Sequence, residues 1–163
     1  TGAIEKHGKR PHGGIVVVYG DVCLGFNGEM QALMADHDVI KVDGLNCIDC
    51  LLGGGGKLLE MDPDHKYLFL TPAWIQFDED LKVGTKAEIR KTYSVLDGII
   101  LLDAMGDLDD YQEQIAEIVD LTGLPILERR KIGLDGFKQV LLEALERNRR
   151  KQAAGRGDGG GEE

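Results

Sequence analysis

The chain has 163 residues and a net charge of −10, with 29 acidic side chains against 19 basic ones. That length suits one compact domain with a sizeable core, and the acidic balance opposes the counterion release that drives most nucleic-acid binding, so a nucleic-acid partner is set aside. No apolar run approaches the roughly 20 residues of a membrane span, and the start, Thr1-Gly2-Ala3-Ile4-Glu5-Lys6, lacks the apolar core of a secretion signal. Three cysteines, two of them only three positions apart, do not make the framework of a disulfide-stapled secreted domain. A cytoplasmic protein with reduced thiols and no membrane contact is expected. Thr1 stands where an initiating Met would, as expected of a chain that lost an N-terminal piece or begins inside a longer one, with a first strand then missing.

In chain order, residues 1–14 hold His7, His12 and no apolar period, and read as an N-terminal arm. The run Ile15-Val16-Val17-Val18-Tyr19 predicts a strand buried on both faces. After it, Val22-Cys23-Leu24-Gly25-Phe26-Asn27-Gly28 forms a glycine-rich loop leading into a helix over 29–36. A second strand is expected over 39–43, and Gly44-Leu45-Asn46 turns from it into a helix that Asn46 caps. Four glycines, 53–56, break that helix because each costs about 0.5–1 kcal/mol relative to Ala inside one, and a helix restarts at Lys57.

A turn at Asp62-Pro63-Asp64-His65 precedes a third strand over 67–71, which Pro72 stops ahead of Ala73 and Trp74. Residues 77–94 are polar and weakly helical. A fourth strand follows over 98–103, then a helix capped by Asp107 or Asp109 and ended by Gly123. A fifth strand over 124–128 has an early Pro125, which argues for an edge position. A last amphipathic helix carries Leu134, Phe137, Leu141 and Leu145 and is expected to end near Asn148. The tail over 151–163 is charged and glycine-rich and has almost nothing apolar with which to offset chain entropy. The alternation of strands and helices predicts an α/β fold: a single domain over 15–150, with a mostly parallel, Rossmann-like sheet of about five strands flanked by helices, and a disordered C-terminal tail over 151–163.

The stretch Asn46-Cys47-Ile48-Asp49-Cys50 is where reactive side chains, a helix start and a glycine run coincide. Cys47 and Cys50, three apart, share a helix face, and a helix start favours thiolate over thiol. In open parallel sheets, ligands bind beyond the carboxyl ends of the strands. Cys23, Cys47, Cys50, Trp74 and Asp103 all follow or end strands, so Cys23 and Cys47 are expected to approach one another. Gly53 to Lys57 has no strand leading into it and Leu58 where a phosphate loop needs Ser or Thr, and no G-x-S-x-G element supports a hydrolase nucleophile.

Three blocks of residues resemble a known family, the archaeal and bacterial family described as domain of unknown function 1638. They are Tyr19-Gly20 with Cys23, Cys47-Ile48 with Leu51-Leu52-Gly53-Gly54, and Leu70-Thr71-Pro72-Ala73-Trp74. Asn46 stands where that family usually has an acidic residue, Cys50 is an addition, and a further strand-and-cysteine segment at the family's N-terminus has no counterpart here. If that segment supplies a ligand, the site in this chain is incomplete. The resemblance implies a soluble domain of unassigned activity, associated with corrinoid and methyl-transfer systems.

Three readings of the site stand side by side. In the first, Cys23, Cys47 and Cys50 are thiolate ligands of a transition metal, zinc or iron, or of a metal-containing cofactor, with Gly25, Gly53 and Gly54 letting the backbone approach the cofactor and Trp74 forming an apolar wall. Such a protein would serve methyl-transfer or cofactor-maturation chemistry, its partners a small molecule or metallocofactor, with a protein partner or homo-oligomer also open. In the second, Cys47 and Cys50 form a C-x-x-C redox pair, against which the carboxylate of Asp49 works by raising the thiol pKa. In the third, the cysteines are small buried apolar residues, the glycines a flexible break, and the chain a non-catalytic interaction domain.

Overall fold

The computed structural model describes residues 2–8, 13–76 and 83–157. Expectations for 9–12 of the arm, for 77–82 and for 158–163 of the tail lie outside the described residues. The class is α/β, with all strand pairs parallel. The five strands are divided: β1 (Val16–Val17) pairs with β2 (Ile40–Lys41), while β3 (Tyr67–Leu70), β4 (Gly98–Asp103) and β5 (Ile126–Lys131) form a second sheet in that order. This division follows two compact units, Thr1–Lys57 with Asp135–Glu163, and Leu58–Leu134.

In the second unit β4 lies between two partners and all six of its residues are buried, as a continuous apolar run at the centre of a parallel sheet requires. Ile99 and Leu101 pack with Leu70, Ile75, Leu108, Ile115, Ile118 and Leu124. Asp62 closes the turn before β3 by accepting from the amides of Lys66 (2.7 Å) and Tyr67 (3.1 Å). Trp74 lies in α5 (Pro72–Gln76), past the carboxyl end of β3, and is exposed. The polar stretch after it contains α6 (Lys86–Tyr93), opened by a capping box between Thr85 and Glu88. A 3-10 turn, Leu108–Tyr111, leads into α7 (Gln112–Thr122), which Gly123 ends; Asp107 precedes the turn but makes no side-chain cap. β5 is an edge strand, as its proline predicts, though it starts at Ile126 and so leaves Pro125 outside.

The first unit begins with α1 (Gly2–Gly8), a helix where the sequence shows no period. Its strands are shorter than expected, and Val18 and Tyr19, past the end of β1, are exposed, so this run is not buried on both faces. Helix α2 (Glu29–Asp36), α3 (Cys47–Leu52) and α4 (Lys57–Met61) start where the sequence places them. The last helix, α8 (Asp135–Gly157), turns Phe137, Val140, Leu141 and Ala144 toward Val16, Ile40, Val42 and Cys50. Leu134 and Leu145, expected on that face, are exposed instead, since the inward stripe follows the 137, 140, 144 spacing. No helix among the described residues is long and apolar enough to cross a membrane.

α8 also continues beyond Asn148, where apolar periodicity stops. Glu146 pairs with Arg149 and Arg150 at 3.0 Å each, one turn along the helix, and Lys151 pairs with Asp38. Both members of the latter pair are partly or largely exposed, so it contributes on the order of 0–1 kcal/mol. Truncation after Arg150 is therefore expected to lower Tm by no more than about 4 °C, measured by thermal circular dichroism; a larger drop would show that the last turns dock more firmly than this ion pair accounts for.

Candidate functional site

The two loops that follow β1 and β2 are hydrogen-bonded to one another. The amide of Asp21 donates to the carbonyl of Gly44 (3.0 Å) and that of Val22 to the carbonyl of Leu45 (3.1 Å), and Cys23 closes a turn on Gly20 (3.2 Å). This pairing is possible because residue 20 is glycine: a Cβ there would fall 2.3 Å from Cα of Asn46 and 2.5 Å from the carbonyl oxygen of Leu45. Lys41, on β2, fastens the same two loops from within. Its Nζ pairs with Asp21 at 3.2 Å and donates to the carbonyls of Val42 and, at 3.3 Å, Gly44, while Arg147 of α8 donates to the main-chain carbonyl of Lys41 at 2.7 Å.

Asn46 then starts α3 as the sequence predicts, its side chain accepting from the amide of Asp49 (2.9 Å). Asp49 is fully buried, and its Oδ2 accepts from the amides of Leu45 (2.9 Å) and Gly56 (3.3 Å). Its main-chain carbonyl accepts from the amide of Gly54 at 2.7 Å. The glycine run thus wraps around one carboxyl group, with Gly53, Gly54, Gly55 and Gly56 all at positive φ, a conformation that non-glycine residues adopt only with strain. Gly54 also runs so close to β2 that a Cβ would meet the carbonyl oxygen of Asp43 at 2.1 Å. Gly25 lies in the first loop against the Glu29 carboxylate, which accepts from the amide of Asn27 at 2.8 Å. Hydrogen bonds from its own backbone amide and from that of Asn27 hold the Glu29 carboxyl below its ordinary range.

The two loops and the start of α3 frame a cavity of about 330 Å³, lined by Val18, Tyr19, Gly20, Cys23, Cys47, Cys50, Leu51 and Phe137. The expected approach of Cys23 and Cys47 holds to this extent: both line one cavity, together with Cys50. The lining does not include Gly25, Gly53, Gly54 or Trp74. The carboxylate of Asp49, between the two cysteines of the pair, has Oδ2 committed to the amides of Leu45 and Gly56. Tyr19, Leu51 and Phe137 are lining residues that sequence reasoning left out; the signal was present for Tyr19, which follows the β-branched run by one residue.

The three thiols differ. Cys23 and Cys47 are exposed, whereas Cys50 is 4% exposed and packs in the core with Val42, Val140 and Ala144. Burial pushes the Cys50 thiol up to about 11; Lys41 opposes this, and the charges of Asp49, Cys23 and Cys47 add to it. The expectation that a helix start would draw both sulfurs of the pair toward thiolate therefore fails for Cys50, because desolvation of a charged sulfur outweighs a six-residue helix. Among the described residues, no group of three or more His, Cys, Asp and Glu side chains is arranged to hold a metal ion.

The chain belongs to the family described as "Protein of unknown function (DUF1638)", whose model matches residues 1–141 and so takes in all three cysteines. No curated protein and no solved structure matches it.

The raised thiol has a consequence for stability. Below the unfolded thiol pKa of ~8.5, Cys50 is protonated in both states and the contribution of its buried neutral form is present in full. As pH rises toward about 11, the unfolded chain loses this proton while the folded chain keeps it, so stability falls. Urea unfolding at pH 8 and pH 10.5 is expected to show a loss that is smaller in Cys50→Ala; an equal loss in both proteins would place its origin elsewhere.

Proposed function

We propose that this family member binds a thiol-seeking ligand, a soft transition metal such as zinc or iron or a metal-containing cofactor, through the thiolates of Cys23, Cys47 and Cys50. The observation that carries the reading is the convergence of three sulfurs, delivered by two hydrogen-bonded loops, on one apolar cavity. A sulfur donor set selects thiophilic metals by its chemistry; the three sulfurs do not stand in a metal-holding arrangement, so a bound metal would have to draw them together. A thiol that costs energy to ionise in apolar surroundings is the kind a metal ion converts to thiolate, since the cation supplies the charge that the surroundings lack. Lys41 would offset part of the remaining negative charge while holding both loops in place. Such a site would suit methyl-transfer or cofactor-maturation chemistry, where a thiolate accepts a group or hands on a metal.

Thiol–disulfide exchange at Cys47 and Cys50 is the competing reading, and the exposure of Cys47 favours it. The neutral, buried Cys50 counts against it, because exchange proceeds through thiolates.

Metal analysis of protein purified without oxygen, followed by cobalt(II) titration, tests the proposal. The expected result is about one metal per chain and a thiolate-to-cobalt charge-transfer band, with binding weakened at least tenfold in both Cys23→Ser and Cys47→Ser. Background metal content together with no such band in the wild-type protein would overturn it, and a reversible Cys47–Cys50 disulfide in a glutathione titration would then favour exchange.

A further inference from the structure

The cavity that holds the thiols is larger than a bare ion needs. Its volume of about 330 Å³ is some ten times the roughly 30 Å³ that one water occupies in the liquid, and falls at the lower end of the ~300–1,000 Å³ typical of small-molecule sites. Its walls are the wrong kind for a hydrated ion. Val18, Leu51 and Phe137 offer hydrocarbon, and Tyr19 adds a ring whose hydroxyl is the only polar side-chain group there besides the sulfurs. No charged side chain lines it. The thiols are also unevenly placed, with Cys23 and Cys47 accessible and Cys50 embedded in the core.

We infer that the cavity takes a small organic ligand with an apolar body, which packs against Val18, Leu51 and Phe137 and brings its soft, thiol-seeking centre to Cys23 and Cys47. The inference rests on the cavity being the functional site, as proposed above, but it does not require that the soft centre be a metal. Specificity would then divide between two parts of the ligand. The sulfurs select the reactive centre, and the hydrocarbon walls select the body by its buried area. A free hydrated ion, which can use only the first part, would be the weaker ligand.

The probe is a series of N-alkylmaleimides, from ethyl through butyl to hexyl, reacted with the full chain at pH 7. Peptide mapping by mass spectrometry reads modification at Cys23 and Cys47 separately, each rate normalised to that of N-acetylcysteine with the same reagent. Burial of each added methylene is expected to raise the normalised rate by about two- to fourfold at one or both cysteines, until the cavity is filled. Val18→Asn, a change at a position already 45% exposed, puts an amide into the wall and is expected to flatten the series. Leu145→Asn, on an exposed position of α8 outside the lining, is expected to leave it steep. Normalised rates within twofold of one another across the series, at both cysteines of the wild-type protein, would overturn the inference, as would a steep series that Val18→Asn leaves unchanged. A steep series flattened by Val18→Asn, in a protein that shows no cobalt(II) band, would support the apolar ligand while removing the metal. A flat series in a protein that binds cobalt(II) would do the reverse.

Discussion

The first unit depends on a single buried carboxyl group. Asp49 draws the amide of Leu45, before its helix, and that of Gly56, after it, onto the same oxygen, while Asn46 holds the amide of Asp49 itself. A polar group taken wholly out of water costs several kcal/mol unless it is hydrogen-bonded, so the surrounding backbone is not free to choose its path. The four glycines are the consequence: the chain must return to the carboxyl group within seven residues, and it does so through a run of left-handed backbone. That return fixes where α3 ends and where Cys50 sits. Four residues earlier in the chain, at Leu45, the same carboxyl group steadies the loop against which Gly20 lies.

Lys41 plays the matching part on the other side. Its ammonium is largely buried, with 12% of its side chain exposed, and is shared between Asp21 and two carbonyls. A cation held in this way both ties the loop bearing Cys23 to the loop preceding Cys47 and sets a positive field beside the sulfurs. The field does not win at Cys50, where burial is the larger effect, but it limits what burial can do. Under the proposed reading, a neutralising cation beside an apolar cavity would disfavour an isolated thiolate at Cys50 and favour one whose charge a ligand helps to balance.

Much of this organisation was legible in the sequence where one local force dominates. The glycine break at 53–56 and the capping role of Asn46 rest on neighbours along the chain and are found in place, while the β-branched run at 15–19 gives a strand only over Val16–Val17. That cysteines gather past the ends of β1 and β2 was legible too, and all three line one cavity. What the sequence did not disclose depends on partners far away in the chain. Whether five parallel strands form one sheet or are shared between two is decided by pairing, which no single strand's pattern encodes, and β1 carries as apolar a sequence as β4 while ending with exposed residues. The extra turns of α8 arise from Glu146, Arg149, Arg150 and Lys151, charges that the apolar period does not register. Gly53 and Gly54 looked like places for close approach to a ligand; the groups they approach are Asp49 and the carbonyl of Asp43.

The spacing of Cys47 and Cys50 shows why motif and site differ. Residues three apart on a helix have Cβ atoms about 5–6 Å apart, a little beyond the ~3.5–4.5 Å of a disulfide, so a small shift of the first turn permits one and separation alone does not distinguish a redox pair from two metal ligands. The distinction lies in what surrounds the second sulfur. Residue 44 is glycine, and a Cβ there would stand 2.3 Å from Sγ of Cys50, which shows that this sulfur is seated against the β2 loop on one side and against Val42, Val140 and Ala144 in the core. In exchange the exposed Cys47 would be the attacking sulfur, and Cys50 would have to leave this packed seat and give up its proton to resolve the mixed disulfide. Under the proposed reading, a ligand that enters the cavity from the side of Cys23 and Cys47 would meet two exposed sulfurs first and the buried Cys50 last.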